Sequence, residues 1–254
     1  MIFEVLPHLA VLLICAAFVA GFVDAIAGGG GLITVPALLL AGASPIEALA
    51  TNKVQGTFGA ATAALTYARA GHVRPMDQIG MAVVAAIAGA GGAMVAHAVP
   101  ADLLRLIMPV VLVAVALFFA FKPGLTDAAR VERMRPALFT FTAVPLIAAY
   151  DGFFGPGTGS FFMLAFVMLA GFGVLKATAH TKMLNFASNL GSLGVFALSG
   201  ATWWAMGLAM AVAQIAGAAL GARLAMRIGA RLIKPLLVVT SSGLAIRLLW
   251  QAWG

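Results

Sequence analysis

Apolar runs recur from one end of this 254-residue chain to the other, and they leave no stretch long enough for a water-soluble domain. The residues are 63% hydrophobic and only 9% charged, where a soluble domain carries about a quarter. About 20 apolar residues suffice for one membrane crossing. In the first half the runs are 8–27, a short one at 32–41, 46–68, 77–98 and 102–121. In the second they are 137–150, a short one at 158–171, 176–199, 203–222 and 232–250. Backbone in lipid must satisfy its own hydrogen bonds. The expected fold class is therefore all-α, a polytopic membrane protein. The start, MIFEVLPHLAVLL, has no basic region and reads as a first span that is not cleaved.

Two of these runs share a peculiar interruption. Gly21–Pro36 reads GFVDAIAGGGGLITVP and Ala148–Met163 reads AAYDGFFGPGTGSFFM. Each holds one aspartate, Asp24 or Asp151, followed by a glycine-rich break. Broken backbone at membrane depth survives only inside protein or beside a wet cavity. Paired breaks at matching positions are the sequence mark of a transport site between two repeats.

The halves align. Asp24, Gly28 and Gly30 match Asp151, Gly155 and Gly157 at an offset of 127, and Lys53, Gly71 and Gly92 match Lys182, Gly200 and Gly221 at 129. We divide the chain into a first repeat, 1–121, a polar connection, 122–136, expected on the cytoplasmic side, and a second repeat, 137–254. Equivalent loops differ in charge. Arg69 to Arg74 is basic and Ser199 to Thr202 is not; Asp102 and Arg105 balance, whereas Arg223, Arg227, Arg231 and Lys234 add up; Glu47 answers to Lys176. Positive loops stay inside, so the repeats are expected in opposite orientation. Inversion requires an odd number of crossings, simplest at five per repeat. Re-entrant short segments instead leave four, with parallel repeats.

Glycine allows unusual backbone angles and close approach of a ligand. A helix starting after a break offers free N–H groups and a partial positive charge, which suits an anion. Gly28, Gly29, Gly30 and Gly31, with Gly155, Gly157 and Thr158, are the candidate amide donors. The competing reading is close helix packing, which accounts poorly for four glycines in a row. An intramembrane carboxylate costs roughly 2.5–3.5 kcal/mol unless paired, hydrated or protonated. Asp24 and Asp151 either brace the breaks or carry protons, and bracing accounts better for a carboxylate beside a glycine turn. Lys53 and Lys182 either snorkel to the interface, pair with the aspartates or neutralise an anion. Thr51, Asn52 and Gln55, and Thr181, Asn185 and Asn189, add neutral polar groups; Asn52, Gln55, Gly59 and Thr62, like Lys182, Asn185, Asn189 and Ser192, each share one helix face. Gln214 either lines a path or knits helices. His180 titrates near neutrality and is a further candidate proton carrier.

Several classes are excluded. The basic excess, +7, lies in short loops, so no nucleic-acid partner is implied. No nucleotide-binding loop, zinc spacing or Ser-His-Asp set is visible, and Cys15 stands alone in an apolar run. The expectation is a transporter and not an enzyme, without cofactor or metal.

The pattern from Gly21 to Pro36, followed by Ala50-Thr51-Asn52-Lys53, resembles the TauE/SafE sulfite exporter family. Gly155-Pro156-Gly157-Thr158-Gly159 and His180-Thr181-Lys182-Met183-Leu184-Asn185 are similar to its second motif, and the likeness spans essentially the whole chain. It implies a carrier of sulfite, a sulfonate or a related organosulfur anion in a bacterial cytoplasmic membrane. The expected function is a secondary transporter working by alternating access, with protons as a possible coupling ion. The alternatives are a passive anion channel and an accessory subunit of a larger assembly.

Overall fold

The computed structural model describes residues 3–120 and 132–229. The 232–250 run, Arg231, Lys234 and most of the polar connection lie outside the described residues. All regular structure within them is helical. The first half contains α1 (Pro7–Ala27), α2 (Gly31–Leu40), α3 (Pro45–Arg69), a 3-10 turn at Pro75–Gln78 leading into α4 (Ile79–Ala98), and α5 (Ala101–Ala120). The second contains α6 (Pro136–Phe141), α7 (Ala143–Phe153), α8 (Thr158–Met168), α9 (Val174–Leu198) and α10 (Trp204–Ile228). The run expected at 137–150 is divided into α6 and α7. Pro145 explains the division: its ring crowds the carbonyl four residues back, at Phe141, and it has no N–H to give.

Pro7 and Pro45 stand at or near the starts of their helices, where a missing N–H costs nothing. Ser44 and Glu47 form a full capping box on α3, with Ser44 N–H donating to Glu47 Oε2 at 2.7 Å. Glu4 does the same service at long range: its carboxylate accepts from the N–H groups of Ala205 and Met206, both at 3.1 Å.

Among the described residues four segments are long and apolar enough to cross a membrane: Pro7–Ala27, Pro75–Ala98, Pro136–Phe153 and Trp204–Ile228. Their outward faces carry Leu12, Ile87, Leu146 and Val212, all exposed. The protein is an integral membrane protein. α3 and α9 are as long, at 25 residues each, but carry more polar residues. They pack against each other at the centre, with α10 on α3 and α4 on α9. α1 lies along α10, and α7 along α4. Every one of these contacts joins the first half to the second. Exchanging the halves maps the α1–α10 contact onto α7–α4 and the α3–α10 contact onto α9–α4.

Small residues permit the closest approaches. A Cβ on Gly92 would fall 2.0 Å from Ala149 O, and one on Gly152 1.8 Å from Gly89 O. A Cβ on Gly217 would fall 2.0 Å from Phe18 O. Membrane helices gain their attraction from this kind of backbone contact, because lipid is as apolar as their side chains.

The direction of the central helices is fixed by two bonds. Trp203 N–H, just beyond α9, donates to Thr51 Oγ1 near the start of α3 at 3.1 Å. Gln78, beyond the end of α3, donates from Nε2 to His180 O in the second turn of α9 at 3.5 Å. The two equivalent helices run antiparallel.

Candidate functional site

Both breaks are where helices stop and start again. α1 ends on Gly28, whose φ is +83° and whose N–H donates to Asp24 O at 2.9 Å. α7 ends at Phe153, and Gly155 (φ +94°) turns the chain, its N–H donating to Tyr150 O at 3.2 Å. The second break turns again at Gly157 (φ +85°) before α8 begins; the first does not, since Gly30 has ordinary helical angles.

The breaks meet backbone to backbone. A Cβ on Gly28 would lie 2.2 Å from the carbonyl carbon of Gly159, and one on Gly31 would lie 3.2 Å from Pro156 Cα. Ser160 joins them, donating from N–H to Gly28 O at 3.2 Å and from Oγ to Ala27 O at 2.6 Å. Within the second break, Thr158 Oγ1 donates to Gly155 O at 2.6 Å and Tyr150 OH to Pro156 O at 2.7 Å.

Two ion pairs then cross between the halves. Lys53, on α3, donates to Asp151 Oδ1 at 2.8 Å and to Asp151 O at 2.5 Å. Lys182, on α9, donates to Asp24 Oδ2 at 3.0 Å and to Asp24 O. Each lysine thus binds both the carboxylate and a carbonyl in the last turn of a helix from the opposite half. Cations belong at that end of the helix dipole, and at Asp24 the lysine shares a carbonyl that already accepts from Gly28 N–H. The lysines are not interfacial anchors: their side chains are 1% and 0% exposed.

Around this junction lies a cavity of about 30 Å³, room for about two waters. Its walls are Gly28, Gly30 and Gly31 from one break, Gly155, Gly157 and Gly159 from the other, both aspartates, Asn52 and Gly56 of α3, Asn185 and Asn189 of α9, and Gln214 of α10. Among the described residues the N–H groups of Gly31, Gly157 and Gly159 make no backbone hydrogen bond. Asn52 Oδ1 is held by Thr34 Oγ1 at 2.6 Å and by Gln55 Nε2 at 3.3 Å, which leaves its Nδ2 unbonded there. Asn185 Oδ1 accepts from Asn189 Nδ2 at 3.2 Å, and Asn185 Nδ2 is likewise unbonded. Gln214 is 4% exposed, with Oε1 unpartnered. The two lysines and two aspartates sum to zero charge. What remains in the wall is a surplus of neutral donors and two helix N-termini.

Sequence-based candidates divide accordingly. Asp24, Asp151, Gly28, Gly30, Gly31, Asn52, Gly155, Gly157, Asn185 and Asn189 come together on the wall. Lys53 and Lys182 stand behind it, on the aspartates. Gly29 does not line it; a Cβ there would meet only Leu32 Cδ1, at 3.7 Å. Gln55 supports Asn52, Thr158 ties its own turn, and Thr51 holds the start of α10 through Trp203. Thr181 is buried, its Oγ1 unpartnered. His180 is elsewhere: its ring packs against Phe166 and Phe172, with centroids 5.6 and 4.9 Å away. Gly56 and Ser188 are missed by motif reading, and Gly159, though part of the second motif, is not among the expected donors. Ser188 Oγ donates to Asp151 Oδ2 at 2.5 Å, and Gly56 leaves space for Asn189, whose Oδ1 would be 3.1 Å from a Cβ. Helical spacing from Asn185 and Asn189 would have put Ser188 and Ser192 on the same side.

Broken helices thus meet around a polar, charge-balanced cavity inside an apolar bundle, as in membrane transporters. The chain belongs to the sulfite exporter TauE/SafE family, whose model matches residues 13–248. It is 57% identical over 242 residues to the probable membrane transporter protein ORF9 of a Sinorhizobium species, covering 95% of this chain and 93% of that one. It is 43% identical over 253 residues to the probable membrane transporter protein YfcA of Escherichia coli strain K12, covering 100% of this chain and 94% of the relative. A probable membrane transporter protein of Haemophilus influenzae is 41% identical, over 95% of each chain. No solved structure matches.

Proposed function

We propose that this transporter carries a small sulfur-containing anion, sulfite or an organosulfonate, across the bacterial cytoplasmic membrane by alternating access. One observation carries the reading: breaks from opposite halves meet around a cavity whose fixed charges cancel and whose remaining polar groups are mainly donors. An oxyanion entering there meets unpaired amides of Gly31, Gly157 and Gly159 and the side-chain amides of Asn52 and Asn185. Anions are held in this way at helix N-termini elsewhere. The sulfur chemistry rests on the family name, not on the cavity.

The antiparallel run of α3 and α9, and the exchange of contacts between halves, support inverted repeats at 1–121 and 137–254. In such a carrier one repeat rocks against the other around a fixed central site. The cavity, at room for about two waters, fits a closed stage between the outward and inward openings.

Flux of sulfite and simple sulfonates through the purified protein in liposomes tests the reading. Asn52→Asp and Asn185→Asp place a carboxylate beside the anion with almost no change in size. Each is expected to lower flux by about tenfold or more at equal amounts of folded protein. Unchanged flux in both removes the cavity as the site. Saturable counterflow is the expected kinetic form; flux that follows voltage without saturation indicates a channel.

A further inference from the structure

The two crossed pairs are equivalent in sequence but not in setting. Asp151 is sealed. Its side chain is 3% exposed, and its oxygens take Lys53 at 2.8 Å and Ser188 Oγ at 2.5 Å. Asp24 is looser. Its side chain is 13% exposed, at the cavity, and its oxygens take Lys182 at 3.0 Å and the N–H of Gly30 at 3.2 Å. The position equivalent to Ser188 is Gly59, and the Gln214 side chain fills the space beside it, with Nε2 2.7 Å from a Cβ placed there. No hydroxyl can therefore reach Asp24 from α3 at that position.

An anion entering a cavity with zero net charge leaves an unbalanced charge out of water, and such a charge is costly. The wall has one accessible way to restore balance. We infer that Asp24 takes up one proton with each anion, and that the carried species is therefore a monovalent anion such as hydrogensulfite or a sulfonate. This rests on the transport reading above. In the empty state Asp24⁻ and Lys182⁺ cancel. A proton taken up from the solvent with the anion adds to a carboxylate oxygen of Asp24, which becomes a neutral O–H donor. Lys182 keeps all its protons, and its charge is now balanced by the anion. Release of the anion and the proton restores the pair. Asp151 stays ionised throughout, and the Lys53 pair holds the halves together.

The charged and titratable groups around Asp24 are few. α9 supplies Lys182, and α7 supplies Asp151 across the cavity. α3 supplies the Tyr67 phenol, which donates to Ala25 O at 2.9 Å. α10 presents neutral Gln214 on the same wall, while the hydroxyls of Thr34 and Ser160 are given to Asn52 and to Ala27 O. None of these offers a second proton acceptor with the exposure of Asp24.

The test uses the full chain in liposomes with methanesulfonate, hydrogensulfite and a pH dye trapped inside. The wild type is expected to move one proton with each monoanion, at a rate indifferent to an imposed potassium-diffusion voltage. Asp24→Asn is expected to lower proton-coupled net uptake by about tenfold or more, with anion-for-anion exchange affected less. Voltage-driven anion entry without acidification in the wild type overturns the inference. So does Asp24→Asn that still moves one proton per anion. If Asp24→Asn does not fold, the wild-type stoichiometry and voltage response decide alone. If no sulfur anion moves through the wild type, the transport reading itself falls; movement with a different stoichiometry removes only the role of Asp24.

Discussion

The end of α1 and the end of α7 are built from the same parts: an aspartate, a glycine turn, and a lysine arriving from the other half. They are held differently. At α7 a serine hydroxyl shares the carboxylate with the lysine, and two left-handed glycines turn the chain. At α1 a backbone amide replaces the hydroxyl, one left-handed glycine suffices, and the carboxylate is 13% exposed where that of Asp151 is 3%. Duplicated sequence thus yields one end suited to bracing and one suited to change. The difference lies in the neighbours of the motif, Ser188 against Gly59, and not in the motif.

The comparison breaks most visibly at the sealed pair. Lys53→Met leaves Asp151 buried without its cation and is expected to cost about 3–5 kcal/mol, read as loss of folded protein on heating in detergent. Lys182→Met should cost less, about 2–3 kcal/mol, because Asp24 is the more exposed of the two carboxylates. Equal losses would erase the distinction between the ends. Combining Lys182→Met with Asp24→Asn removes both charges, and most of that loss should return. Ser188→Ala is expected to lower stability by about 1.5–3 kcal/mol; the matching Gly59→Ser, meant to give Asp24 its hydroxyl, should not raise it, because Gln214 occupies the space. Gly29→Ala marks the small end of the scale. Stability is expected to stay within about 0.5 kcal/mol, with sulfite flux unaltered.

Much of the architecture is legible in the chain. Long apolar runs become helices because nothing else satisfies backbone in lipid, and the breaks fall where glycine and aspartate interrupt them. The crossing of the pairs is not legible. Nothing in the chain says whether Asp24 pairs with Lys53 of its own half or with Lys182 of the other, and only packing decides between them. Position along the chain also misleads about His180. It adjoins Thr181 and Lys182, but residues two apart on a helix differ by roughly 200°, so His180 faces the aromatic cluster. Gly56 escapes notice for another reason: its contribution is an absent side chain, and its value depends on what lies opposite.

The crossed pairs also set a timetable for biogenesis. Asp24 and Lys182 are 158 positions apart. At about 5–20 residues synthesised per second, the lysine follows the aspartate by roughly 8–30 seconds. The first half must therefore wait at the insertion machinery with its carboxylate unmatched, and neither half can complete its own charge balance. Two separately expressed halves should each be degraded alone and rescue one another when made together.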